Sequence, residues 1–418
     1  MRKYTDFFED KSYNILDEED YIQELKDILD KFRTFDEALD SFIVEHGFKG
    51  NLDSIDEKVK FISEKCKQAN VPVPRNLKDW YIEDKKPDRT SKVPFQICFA
   101  FELNVDEVND FLHRICLFRG FDCHIIEEIV YFFAFKHGLD YTSAMDILSK
   151  VKTVKPVLTI SKCENIATQD IVYTHLIIDE IESIETEEEL IEYLNENIDK
   201  FEYNNATAYK VIQTIWKDIS GDNEKEGIAI REKRLLYKEF NKDEDENYIS
   251  KTGRKERKRA DDSIWEIYLQ ILGLSGSCMV GFYNKRSLKF MLNDNEMLHP
   301  LAQDCFPDRD GLNKVLNGVH VSYERVRKLL ILLVFYKYYA EKALEKTSYF
   351  TDIEDADRCI CIINDKLVCS NYSALYPANP YDFLILMSIR TEYPLITFRE
   401  YVQELFFEKV DIDSLYKE

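Results

Sequence analysis

Only 12 glycines and 10 prolines interrupt 418 residues. Strand-rich folds need tight turns at short intervals, and those turns draw on glycine and proline. A chain this poor in both must cover distance with long helices and short connections. An all-α, multi-domain protein is therefore expected. With 45% hydrophobic residues, the chain is long enough for two or three domains, each with its own core. Its 27 Phe and 25 Tyr should make those cores aromatic.

The 79 acidic residues outweigh the 56 basic ones, for a net charge of -23. Nucleic-acid-binding domains usually carry a basic footprint, so any such contact here must use a local patch. The first residues, MRKYTDFFEDK, lack the apolar core of a signal peptide. The most apolar run, Leu329 to Tyr336, is far too short to span a bilayer. No membrane partner is expected. The ten cysteines are scattered rather than clustered, which reads as reduced thiols and a cytoplasmic protein.

Periodicity divides the chain into five stretches. Residues 1–56 read as N-terminal helices, with Ile22, Leu25, Ile28 and Leu29 on one stripe. Residues 57–150 hold the sharpest helical pattern. Residues 151–216 are an acidic helical segment, entered through the β-branched run VKTVKPVLTISK. Within it, Asp179 to Asp199 has ten acidic residues and no basic one, and Thr186 with Glu189 spells a capping box. Residues 217–261 read as a polar and basic connector. Residues 262–418 read as a C-terminal helical domain.

Within 57–150, Val59, Ile62, Cys66 and Ala69 follow helical spacing, and Val71-Pro72-Val73-Pro74 stops that helix. Pro74 suits the first turn of a second helix that carries Arg75, Asn76, Lys78 and Trp80. The basic turn Lys85-Lys86-Pro87 follows. Next comes ICFAFELNVDEVNDFL (97–112), an apolar helix and then a second helix led by Asn104 and Glu107. This order resembles the helix-turn-helix of the phage-repressor (Cro/C1) family. The resemblance covers about sixty residues and implies that the second helix enters the major groove of DNA. On that reading Arg75 and Asn76 meet base edges, as Arg does with guanine and Asn with adenine. Lys78, Lys85, Lys86, Arg89 and Lys92 would hold phosphates, while Leu77 and Trp80 face the core. A continuous positive face over these residues favours DNA. A face broken by Asp79, Asp84 and Asp88 favours a protein partner.

Two other features bear on partners. Lys251 to Arg259 contains six basic residues in nine, and Arg254, Lys255, Arg257, Lys258 and Arg259 would add nonspecific phosphate contacts. The segment CFPDRDGLNKVLNGVHVSYERVRKLL, with its Asn317-Gly318 stop, is similar to the recognition-helix region of the same family; it also reads as an ordinary pair of packed helices. The order of the helix-turn-helix, PDRDGLNKVLNG and LYPANPYDFL resembles a group of bacterial proteins associated with mobile elements. That likeness implies no activity.

No catalytic motif stands out. Gly273-Leu274-Ser275-Gly276-Ser277 lacks the spacing and the lysine of a phosphate loop. His113, Cys116, Cys123 and His124 lie in aromatic helical sequence, where cysteine is normally a small buried hydrophobe. No metal and no cofactor is expected. An active site assembled from distant residues would leave no such local mark. Two readings follow: a DNA-binding regulatory protein, or a helical protein-interaction component of a mobile-element or defence assembly that does not touch DNA. Its partner would be double-stranded DNA in the first case, and another protein or a second copy in the second.

Overall fold

Among the described residues helix is the regular structure, and side-chain caps mark several of the starts. The computed structural model describes residues 6–8, 10–11, 28, 31–82, 87, 91–122, 125–152, 180–198, 201, 206–222, 224–240, 260–274, 309–319, 321, 323–370 and 372–407. Among these the protein is all-α, with no strand beyond an isolated bridge between Gly221 and Glu226. The chain packs into two compact units.

The first unit is built mainly from Lys31–Ala206. Its helices are α1 (Phe35–Glu45), α2 (Ile55–Gln68), α3 (Asp79–Ile82), α4 (Val93–Ala100), α5 (Val105–Asp110), α6 (Ile126–His137), α7 (Tyr141–Lys150) and α8 (Glu187–Glu196). A π-helical turn, Phe111–Ile115, extends α5. Start signals legible in the sequence are used. Asn104 and Glu107 form a capping box on α5, and Thr186 and Glu189 form one on α8. The acidic α8 still buries Leu190 and Leu194 completely and packs against α7.

Helix α4 is buried nearly all round, as its apolar sequence requires, and lies against α2. Phe42 of α1 anchors a ring cluster, with Phe101 and Phe111 each 4.9 Å away between centroids. Such edge-on pairs add to the area they bury.

The second unit comprises Thr5–Asp30, Thr207–Ser370 and Ala374–Glu418. Residues 1–56, continuous in sequence, thus contribute to both units. In the second, Phe8 meets Phe383 edge to face at 5.5 Å. The helices are α9 (Ala206–Ser220), α10 (Ile228–Phe240), α11 (Ala260–Ile271), α12 (Arg309–Leu316), α13 (Tyr323–Lys346), α14 (Ile353–Cys369), α15 (Pro380–Ile389) and α16 (Pro394–Phe407). Helix α13 is the hub, and α10, α14, α15 and α16 pack on it. From Leu329 to Tyr336 every residue of α13 is buried. Among the described residues no helix is long and apolar enough to cross a membrane.

Two buried charge pairs tie this unit together. Glu232 of α10 is fully buried and accepts hydrogen bonds from Arg399 (Nη1–Oε1 2.9 Å, Nη2–Oε2 3.3 Å), Tyr336, Tyr349 and Gln270. Burial alone would raise the pKa of this carboxyl. The guanidinium of Arg399 and the hydroxyl and amide donors outweigh it and hold the group below the usual carboxylate range. Arg327 of α13 forks onto Asp382 of α15 at 2.7 and 2.6 Å, and Asp382 also accepts from the Tyr376 amide at 2.8 Å. Asn379 caps α15 through the Tyr381 amide and Pro380 occupies its first turn.

Two expectations from the sequence differ from the structure. The stretch 217–261 reads as a connector, yet its described part includes the end of α9 and all of α10. A polar helix can sit in a core when each charge finds a partner there, and Glu232 does. The second helix expected from Pro74 is reduced to a hydrogen-bonded turn over 75–78 followed by the four-residue α3. In 305–340 the described residues form α12 and α13. Asn317-Gly318 does stop α12, with Gly318 at φ 70°. That end is then tied to α9, where Gln213 donates to the Leu316 carbonyl at 3.0 Å.

Candidate interaction surface at residues 73 to 82

Helix α2 ends with Asn70 in the left-handed region (φ 54°), and the Val71 amide bonds back to the Cys66 carbonyl at 2.8 Å. The extended run 71–74 then carries the chain to the turn at 75–78. Hydrogen bonds from the Asp79 amide to Asn76 (3.0 Å) and from the Tyr81 amide to Lys78 (3.2 Å) carry that turn into α3.

The inner side of this segment is apolar and firmly seated. Val71, Leu77, Trp80 and Tyr81 are buried. Leu77 and Trp80 therefore face the core, as their place in the sequence suggests. Trp80 meets Phe35 of α1 edge to face at 5.8 Å. Tyr81 lies under the ammonium of Lys58, 4.2 Å from the ring centroid, and Lys58 is paired to Asp40 of α1 at 2.8 Å. A cation on an aromatic face and an ion pair at one buried place fix α3 to α1 and α2. Burial, with Asp40 and Asp36 nearby, pushes the Tyr81 phenol well above its ordinary pKa, so it stays protonated.

The outer side is mixed. Arg75, Asn76, Lys78 and Asp79 are exposed, bracketed by two apolar side chains, Val73 at 36% and Ile82 at 59% exposure. The Lys78 ammonium is 2.9 Å from the Asp56 carboxylate. Lys92, just before α4, is paired to Glu127 of α6. Two of the expected phosphate-binding cations thus have acidic partners within the chain. Lys85, Lys86 and Arg89 lie outside the described residues, as do Asp84, Asp88 and the run with Arg254, Lys255, Arg257, Lys258 and Arg259. The sequence reading missed Asp56 and Ile82. Asp56 is 22 residues from Lys78, and nothing short of the α2–turn packing brings the two together. Ile82 follows the buried Trp80-Tyr81 pair and looks like more core.

Elsewhere, no three His, Cys, Asp or Glu among the described residues come together to hold a metal ion. Cys66, Cys98 and Cys116 are buried in the first unit's core. Burial raises the Cys66 thiol to about 11 and pushes Cys98 up as well, so both behave as small hydrophobes rather than nucleophiles. The chain matches no protein-family model, no curated protein and no solved structure.

Proposed function

We propose that this chain is a helical interaction protein whose repressor-like segment binds another protein rather than reading the major groove. One observation carries the reading: the exposed face of residues 73–82 interleaves both signs of charge with exposed aliphatic side chains. Protein–DNA interfaces are much more uniformly positive. Protein interfaces combine an apolar centre with a polar, mixed-charge rim, and Ile82 with Val73 amid Arg75, Lys78 and Asp79 fits that pattern. A groove reader also presents a helix whose first residues reach base edges. Here Arg75 and Asn76 sit in a turn ahead of a helix only four residues long.

DNA contact remains the competing reading, because Arg75 and Asn76 are exposed. It predicts that Arg75→Ala costs about 1–3 kcal/mol of binding and relaxes base preference. Fluorescence anisotropy with random and selected duplexes, at low and moderate salt, separates the two. The interaction reading expects no sequence preference and no effect of Arg75→Ala. Any salt-dependent residue of binding should vanish when Arg254, Lys255, Arg257, Lys258 and Arg259 are replaced by Ser, at about 0.9 of log–log slope per lost phosphate contact. A preferred duplex whose affinity drops with Arg75→Ala overturns it. On the positive side, chemical cross-links of the native complex should map to 73–82, and Ile82→Asp should abolish them.

A further inference from the structure

Three helices of the first unit stop in the same way. Helices α2, α4 and α6 each end in a left-handed residue: Asn70 (φ 54°), Glu102 (φ 54°) and Gly138 (φ 66°). In each case the next amide returns to the carbonyl five residues earlier. The bonds are Val71 to Cys66 at 2.8 Å, Leu103 to Cys98 at 3.2 Å, and Leu139 to Ala134 at 2.8 Å. Asn70, Glu102 and Gly138 all line one pocket of about 370 Å3, together with Phe99, Phe135 and Tyr141.

The negative groups at this pocket outnumber the one positive helix end there, the N-terminus of α7, which Asp140 itself caps. A helix C-terminus carries a partial negative charge, felt within its last turn, and three meet here. Two carboxylates join them. Glu102 is exposed. Asp140 also lines the pocket, and the Ser143 hydroxyl and amide hold its pKa below the ordinary range, so it is ionised at neutral pH. The lysines of the adjoining last turns do not line the pocket. The Lys65 ammonium lies over Phe61 and Phe101, about 6 Å from each centroid. The Lys136 ammonium binds the Glu182 and Ile184 carbonyls at 2.6 and 3.3 Å. The remaining wall is aromatic: Phe99 and Phe135 stack with centroids 4.1 Å apart, and Tyr141 meets Phe99 edge to face at 5.5 Å. Carboxylate, carbonyl dipole and aromatic face are the three groups that recognise an organic cation. Glu102 adds a further sign. A non-glycine residue in the left-handed region is strained, and such strain gathers at ligand sites.

We propose that this pocket binds an organic cation, a guanidinium or alkylammonium group, between the ends of α2, α4 and α6. The group arrives either on a basic side chain of a peptide or as a free diamine. The proposal stands apart from the reading of residues 73–82, and the loss of either leaves the other intact.

The test uses the full chain and saturation-transfer NMR titrations with three probes: N-acetyl-arginine amide, its neutral citrulline counterpart, and butane-1,4-diamine. At about 0.3 kcal/mol per heavy atom the arginine probe should bind with Kd on the order of 1 mM, and the six-atom diamine matches it only at about 0.7 kcal/mol per heavy atom, within the ceiling for small ligands. The expected result is binding of at least one cationic probe, with citrulline about tenfold weaker or worse. Glu102→Gln should weaken the cation by about tenfold, the size of one charge-assisted contact. Glu102 is exposed, so this change leaves the core untouched. Tighter binding of the arginine probe assigns the pocket to a side chain, and tighter binding of the diamine assigns it to a small molecule. Equal binding of citrulline and arginine, no binding of either cation, or indifference to Glu102→Gln overturns the proposal.

Discussion

Replacing Arg399 with Met tests whether the Glu232 cluster holds the second unit together. Both side chains are almost wholly buried. The substitution roughly keeps the volume but leaves the Glu232 carboxylate in the core with only Tyr336, Tyr349 and Gln270 as donors. Removing one partner of a buried pair typically costs about 3–5 kcal/mol, because the remaining charge loses its compensation. Whole domains are stable by about 5–15 kcal/mol, so the loss is a large share of the total.

Hydrogen exchange followed by mass spectrometry reads this helix by helix. Opening free energies of α10, α13 and α16 should fall by about 3–5 kcal/mol, while α2 and α4 of the first unit serve as the unchanged control. Adding Glu232→Gln should recover at least about 1 kcal/mol, since a neutral amide needs no counter-charge.

The pH dependence has a definite sign. In the native protein the folded pKa of Glu232 is depressed. Its contribution is therefore present above the unfolded carboxyl pKa of about 4.3 and is lost as pH falls through the folded value. In Arg399→Met, burial should raise the folded pKa instead. Its penalty is then full at about pH 8 and shrinks as pH falls toward about 5, where the carboxyl takes up a proton. A penalty below about 1 kcal/mol, or one equal at both pH values, refutes the view that the pair compensates a desolvated charge.

Three further outcomes follow from the same packing. Gly273 has φ +75°, and a Cβ there would lie 2.5 Å from Cβ of Arg399; Gly273→Ala should destabilise the second unit by more than about 1 kcal/mol in urea unfolding followed by Trp216 and Trp265 fluorescence. Glu102→Gly should stabilise the first unit by about 1 kcal/mol, read from exchange in α4, because glycine occupies φ 54° without strain. No gain there would mean that Glu102 carries no strain. Asp382→Asn removes the carboxylate charge that Arg327 forks onto and should lower the midpoint of unfolding by an amount worth about 3–5 kcal/mol; an unchanged midpoint would show that the pair is neutral for stability.

The sequence by itself determined the fold class and several helix boundaries. Scarce glycine and proline exclude a strand-rich chain, and capping depends on neighbours a few residues apart, so Asn104 with Glu107, Thr186 with Glu189 and Asn379 with Pro380 were legible without any tertiary information. The burial of Leu77 and Trp80 was legible for the same reason, since residues three apart share a face. Tertiary structure decided whatever depends on distant partners. Glu232 looks like one more solvated glutamate until Arg399, 167 residues away, meets it in the core. Lys78 looks free to hold a phosphate until Asp56 is found beside it. The pocket at the ends of α2, α4 and α6 has no motif at all, because three separate helices must stop at one place before their dipoles and Glu102 add up. Local rules fix where helices begin and end; charge compensation and site formation are long-range, and only packing reveals them.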